Sequence, residues 1–317
     1  MKEIIERCND LIPSNAMAIH NILNNKGFDT YFVGGALRDF YLSEISNKKY
    51  KIKDWDMVTT ARYEDMTRIF NKILRINENG RIVSKRGKTE MLIPGIETTG
   101  VSINNQVFEV TPMHIKNGED TRFIKDIYED LTKRDFTMNT LVYSPKHGVI
   151  SEFVNNLGQK VNAKEDIENG VIRCVGDANT LFRENRFAMI RAILFANRLE
   201  FEIEERTFEA IRDNIFEVND INKGKMAIAF EKLIMGDVTS KIEYIISTDL
   251  LESLCISFNR EYGYELISLL KKIKEDYNGY DYYERLKFIS NNFSNKDLIM
   301  NLYKEFGVNK EILMRIN

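Results

Sequence analysis

The 317-residue sequence is poor in histidine, cysteine, proline and tryptophan, with three, three, four and one of them. Cys8, Cys174 and Cys255 are scattered, odd in number and without a CxxC pair. That argues against a disulfide framework or a structural zinc site and suits buried or reduced thiols. His20, His114 and His147 lie far apart and lack metal-ligand spacing, so no histidine-based metal or catalytic site is expected. No run approaches the roughly eighteen apolar residues of a membrane span. The opening "MKEIIERCND" mixes charge through its apolar positions, without the apolar block of a signal peptide, so a cytoplasmic location is expected. Positive charge is not in excess either: the net charge is −3, which argues against broad nonspecific nucleic-acid binding but leaves room for a local basic face. Lys48, Lys49, Lys51 and Lys53 form one basic run, and Arg81, Lys85, Arg86 and Lys88 another.

What remains is an ordinary globular composition, 43% hydrophobic and 29% charged, long enough for a sizeable core and two or three structural units. Residues 14–26 read as a helix, with Ser14 to cap it, Ala16, Ile19, Ile22 and Leu23 as its stripe, and Gly27 to stop it. "DTYFVGG" reads as a strand entering a glycine turn, "ALRDFYLS" as the start of a helix, and "WDMVTTA" as a second strand. "YEDMTRIFNKIL" is amphipathic, and "GVSINNQVFEVTPM" is a hairpin turning at Asn104-Asn105. Past about residue 150 the strand signal fades. From about 176 onward, helix-period apolar positions dominate. The expectation is an α+β head, 1–150, followed by helical segments at 151–236 and 237–317.

Asp54 and Asp56 stand two apart on a predicted strand, so both side chains project from one face. Two carboxylates there suit divalent cations: Mg²⁺ prefers oxygen ligands and commonly bridges one or two carboxylates to substrate phosphates. Two such ions support phosphoryl or nucleotidyl transfer. Gly34-Gly35 falls at a strand–helix junction, where bare backbone N–H groups and a helix N-terminus can approach a triphosphate. Arg38 points toward phosphate in this reading, and Asp39 fixes Arg38 or the turn. GGxxRD followed by DxD, in strand–turn–helix–strand order, is far more specific than either motif alone.

On these residues the sequence resembles the nucleotidyltransferase superfamily, in particular the class II tRNA nucleotidyltransferases (CCA-adding enzymes) and bacterial poly(A) polymerases. "TYFVGGALRD", "DWDMVTTA" and "DLTKRDFTMNTLVY" are similar to three successive family motifs, and the similarity extends over about residues 12–235. The resemblance implies a polymerase-β-like head with a mixed sheet, then an all-helical neck (151–236, the base pocket) and body (237–317). It implies a two-metal Mg²⁺ site on Asp54 and Asp56, with Glu109, taken as alternating inward in "VFEVTP", as a third carboxylate. Arg134, Asp135 and Asn139 would grip the sugar and phosphates of the incoming nucleotide. Arg122 would reach phosphate. The implied reaction moves NMP from an NTP, CTP or ATP, to a 3′-hydroxyl, with tRNA or another RNA as acceptor.

The departures from the family pattern concern base choice. Where the family carries Glu-Asp-x-x-Arg on a neck helix, this chain has Glu184, Asn185 and Ala188. On a continuous helix the last two share a face. Asn can accept from an exocyclic amine but is neutral and can also donate; Ala can do neither. Arg186 would sit about 100° round such a helix from Asn185. Further on, Gly224-Lys225 stands in place of a Glu-Arg opening, Ile228 or Ala229 in place of a Glu, and His114 in place of a common Arg. CCA addition to tRNA is the expected activity. The alternatives are a relative of the same fold acting on another RNA, a protein or a small molecule, and a catalytically silent RNA-binding relative.

Overall fold

The computed structural model describes residues 2–46, 48–52, 54–71, 75–76, 82–84, 88–117 and 120–316. "TYFV" is apolar on both sides of the strand, and it forms a strand buried at every position, as expected in the middle of a covered sheet. Seven strands make that sheet: β1 (Thr30–Val33), β2 (Asp56–Thr59), β3 (Lys88–Ile93), β4 (Thr98–Ile103), β5 (Gln106–Pro112), β6 (Val142–Ser144) and β7 (Gly148–Ile150). Their order is β7-β6-β1-β2-β5-β4-β3. β2 and β5 run parallel, and the other neighbours are antiparallel, so the sheet is mixed. The hairpin joining β4 to β5 turns where expected. Asn104 and Asn105 take positive φ values of 51° and 63°, which Asn tolerates and which matches the twist of a tight hairpin.

Helices α1 (Lys2–Leu11), α2 (Ser14–Asn25), α3 (Gly35–Ile45), α4 (Tyr63–Phe70), α5 (Ile127–Leu131) and α6 (Ala163–Glu168) complete this part of the chain. On one side of the sheet the His20 ring of α2 stacks on Phe32 at 5.3 Å, and Trp55 meets Phe32 edge-on at 5.9 Å. Met66 and Phe70 of α4 are buried as well. The start of α2 differs from expectation: Pro13 occupies the cap, Ser14 is already helical, and no side chain caps the end.

The chain packs as two compact units, Met1–Asn169 and Gly170–Asn317. The first runs past the expected boundary at 150. Strand signal continues there as a short hairpin, Glu152–Val154 with Lys160–Asn162, too brief to show a period of two. The α6 that follows is tied back by Thr137 Oγ1 donating to Asp166 Oδ2 at 2.5 Å and by Tyr41 donating to Glu168. The second unit is helical except for a two-residue parallel pair, Val171–Ile172 with Glu202–Ile203, where an all-helical unit was expected. Its helices are α7 (Ala178–Glu184), α8 (Phe187–Leu199), α9 (Glu205–Asn214), α10 (Lys223–Met235), α11 (Tyr244–Ser247), α12 (Leu250–Leu254), α13 (Arg260–Asp276), α14 (Tyr282–Asn292), α15 (Lys296–Glu305) and α16 (Lys310–Ile316). Asp177, Asn222, Asn259, Asp281 and Asn295 cap five of them through their side chains. Phe230 stacks on Phe306 at 4.2 Å in the core between α10 and α15. All three cysteines are buried and free, and no helix among the described residues is long and apolar enough to cross a membrane.

Gly307 ends α15 with φ +80°, and a Cβ there would lie 2.6 Å from the Lys223 carbonyl oxygen. Gly307→Ala should therefore cost about 2–3 kcal/mol in urea unfolding, whereas Gly279→Ala, with open space around it, should stay within about 0.5 kcal/mol. Burial holds the His20 imidazole below its ordinary 6.5. The unfolded chain takes up that proton first, so stability is complete above pH 6.5 and falls as pH drops below it. Urea midpoints measured across that range should decline toward acid, and His20→Gln should flatten the decline.

Candidate active site

The register of β1 against β2 pairs Val33 with Asp56. Gly34, the next residue, takes φ 80° and ψ −147°, a conformation open to glycine, and turns the chain into α3. A Cβ on Gly34 would lie 3.9 Å from Oδ2 of Asp56, so the glycine turn runs directly past the carboxylate. Trp55 is buried toward Phe32, and Asp54 and Asp56 on either side of it are exposed and half-exposed. That is the in–out alternation of a strand.

On the other side of β2, the parallel pairing of Met57 with Val110 brings Glu109 beside Asp56. Phe108 and Val110 turn into the core and Glu109 turns out. The expectation that Glu109 points inward is thus corrected: it lies on the open face, and that face carries the aspartates. Burial, then Glu109 and Asp54, push the Asp56 carboxyl up from 3.8 to about 6, opposed by the positive charge of Arg134. Oxygen donors under mutual repulsion suit a hard cation. Among the described residues, however, no three metal-type side chains are drawn together tightly enough to cage an ion.

In the "RD" of GGxxRD, Asp39 fixes Arg38 as expected. Arg38 is 2% exposed, and its Nε and Nη2 donate to Asp39 Oδ1 at 2.9 and 2.7 Å. Its Nη1 donates to Asn139 Oδ1 at 2.5 Å, and Asn139 Nδ2 donates to Asp135 Oδ1 at 3.0 Å. Arg38 is therefore a buried brace, with Nη2 packed against the glycine turn at Gly35. Asp39, Asn139 and Asp135 belong to the same network. Arg134 is half-buried and donates to Asp130 Oδ2 from Nη2 at 2.8 Å. Asp130 was not singled out in sequence, although its i,i+4 spacing from Arg134 on a helical stretch signals the pair. Arg122 pairs with Glu129, and His114 Nδ1 lies 3.0 Å from the Pro112 carbonyl oxygen. Lys53, Arg81, Lys85 and Arg86 lie outside the described residues, as does the side chain of Lys88.

The divergent motif belongs to the second unit. The continuous helix expected through it is interrupted: α7 ends at Glu184, Asn185 takes φ −139° and ψ 79°, and α8 starts at Phe187. Glu184 and Asn185 are exposed, and Ala188 is fully buried in the core. The shared helix face for Asn185 and Ala188 is therefore absent. Arg186 is engaged by Glu217 at 2.9 Å and Asp220 at 3.6 Å. Ala229 is core, Ile228 is exposed, and Lys225 lies 5.9 Å over the Phe187 ring. In the body, Arg285 is buried and donates to the carbonyls of Ile234, Tyr280 and Asn278. Lys274 pairs with Asp237, and Lys271, Lys272 and Lys287 are exposed.

This geometry agrees with a family comparison. Residues 30–173 match the family model described as the poly A polymerase head domain, so the first unit carries that domain. As a whole the chain has the fold of the CCA-adding enzymes. It aligns with the Bacillus stearothermophilus CCA-adding enzyme in complex with CTP at a TM-score of 0.74 and 24% identity, covering 95% of this chain and 67% of that one. It aligns with the Thermotoga maritima CCA-adding enzyme complexed with tRNA at a TM-score of 0.62 and 17% identity, covering 93% and 65%. By sequence it is 31% identical over 244 residues to a CCA-adding enzyme of Geobacillus sp., which is 74% of this chain and 53% of the relative. The chain spans about half the length of the curated relatives it matches.

Arg38→Ala would leave the buried Asp39 carboxylate without its cation. The expected cost is about 3–5 kcal/mol, the scale of breaking a buried ion pair from one side, read as a lowered urea midpoint.

Proposed function

We propose that this protein is a metal-dependent nucleotidyltransferase that moves NMP from an NTP to the 3′-hydroxyl of an RNA, releasing pyrophosphate, and that it adds CCA to tRNA 3′ ends from CTP and ATP. The observation that carries this reading is the meeting of a positive-φ glycine turn with Asp56 on the sheet face that also bears Asp54 and Glu109. The CCA-adding names of the relatives and structural neighbours support the choice of acceptor.

In this reading Asp54 and Asp56 hold Mg²⁺, and Glu109 adds a third carboxylate beside them. When bound, the metal supplies Lewis-acid stabilisation of the attacking and leaving oxygens. The backbone of Gly34 and Gly35 and the first turn of α3 receive the triphosphate, where N–H groups and the helix dipole favour anions. The acceptor 3′-oxygen bonds to the α-phosphorus, the α–β bridging P–O bond breaks, and pyrophosphate leaves. The proton lost by the attacking hydroxyl passes to the Glu109 carboxylate, which lies beside Asp56. Arg134 contributes positive charge near Asp56 while Asp130 fixes its direction. Asn185, exposed at a helix break and able both to donate and to accept, takes the place of a charged base reader; Ala188, apolar and buried, takes no part.

The test supplies Mg²⁺, tRNA lacking its CCA end, and each labelled NTP in turn. CMP followed by AMP incorporation is the expected outcome. Labelling from UTP or GTP alone, or labelling of protein instead of tRNA, refutes the assignment. Asp54→Asn with Asp56→Asn should reduce transfer about a thousandfold or more while leaving the protein folded, because it removes charges that repel one another.

A further inference from the structure

Strand alternation extends the open sheet face beyond Glu109. Val107 lies two residues before Glu109 on β5, so both project to the same side. Gly100 on β4 is the cross-strand partner of Glu109, and Glu90 on β3 is the partner of Gly100. Leu92 shares the Glu90 side of β3. A Cβ built on Gly100 would meet Val107 Cγ1 at 3.2 Å and both Leu92 Cδ atoms at 3.3 Å. The two side chains thus close over a position that only glycine leaves free. Val107 is 63% exposed and Leu92 40% exposed, so together they form an apolar pad open to solvent.

Its place in the sheet gives the pad a direction. In the strand order β1-β2-β5-β4-β3, the glycine turn flanks Asp56 from β1, while Glu109 and the pad flank it from the opposite side. In nucleotidyl transfer the attacking and leaving oxygens stand roughly in line across the phosphorus. A triphosphate held at Gly34 and Gly35 sends its pyrophosphate toward β1. The attacking hydroxyl then enters from β5, and the nucleotide that bears it lies over β4 and β3, about 5 Å apart per strand.

We infer that Leu92 and Val107, closed over Gly100, form a platform that binds the terminal base of the acceptor RNA. Neither touches a reacting atom in this arrangement. An aliphatic floor contacts any base face without reading its edge, which suits an acceptor end that changes with each nucleotide added. Ser102, half-buried opposite Val107, borders the pad with a hydroxyl. The inference rests on the nucleotidyltransferase reading and deepens it.

The experiment compares tRNA acceptors ending in an intact nucleotide or in an abasic ribose, with wild-type protein, Val107→Ser and Leu92→Ser. Loss of the apolar contact should raise KM for the intact acceptor about five- to tenfold, with KM for the NTP and kcat at saturating acceptor unchanged. The abasic acceptor should be penalised by a similar factor in wild type and by little in either variant, because the missing base and the missing side chain remove the same contact. A rise in NTP KM instead, no change in acceptor KM, or an equal abasic penalty in all three proteins would overturn the platform while leaving nucleotidyl transfer standing. Wild-type protein that transfers no nucleotide would overturn both. Gly100→Ala, which must push Val107 and Leu92 apart, should reproduce the acceptor KM effect; if acceptor KM stays at the wild-type value, the platform is wrong.

Discussion

The pairing of Val33 with Asp56 is the constraint on which the site depends. It fixes the glycine turn against one carboxylate, and through the parallel step from β2 to β5 it sets the place of Glu109 as well. A register slip of one residue would turn Asp56 into the core and Met57 out of it. That error is prevented by Phe32, Trp55 and Met57, whose burial on the opposite side holds the strand the right way round. Acidic chemistry on one face is thus specified by aromatic packing on the other.

Beneath the turn, the fold places its strongest polar network where ligand contacts were expected. Arg38 is enclosed, and its guanidinium holds Asp39 and Asn139. The network ties the helix after the glycine turn to the segment before β6, more than a hundred residues away in sequence. Such a brace suits a site in which bare backbone N–H groups face a triphosphate: those groups have no side chain to adjust, so the backbone itself must be held. The residues of "KRDFTMNT" share that work, since Asp135 and Asn139 continue the same chain of bonds.

Local signals in the sequence are legible where local chemistry decides the outcome. The Asn104-Asn105 turn, the glycine turn and the alternation around Trp55 all follow from conformational preferences of a few neighbouring residues. Legibility failed where tertiary surroundings decide. The bonds from Arg38 to Asn139, a hundred residues away, cannot be read from the local motif. The stretch from Ala178 to Leu199 keeps a helical apolar period on both sides of Asn185, so periodicity does not reveal the break between α7 and α8. Alternation in "VFEVTP" states which residues share a face and not which face is covered, so the open side on which Glu109 lies is decided by the burial of Phe108 and Val110. The hairpin at 152–162 is too short for its pattern to rise above the background.

The parallel pairing of β2 with β5 also bears on how the head folds. Asp56 and Glu109 are about fifty residues apart in the chain yet occupy neighbouring strands. Parallel neighbours cannot be joined by a tight turn, so this contact forms only after a long loop has closed, at an entropic cost that hairpins such as β4–β5 avoid. The strands closing at that step bring like charges together. Assembly of the carboxylate cluster therefore carries both a loop-closure cost and a repulsive one, and a divalent cation held by those carboxylates would favour the folded head as well as any reaction that follows.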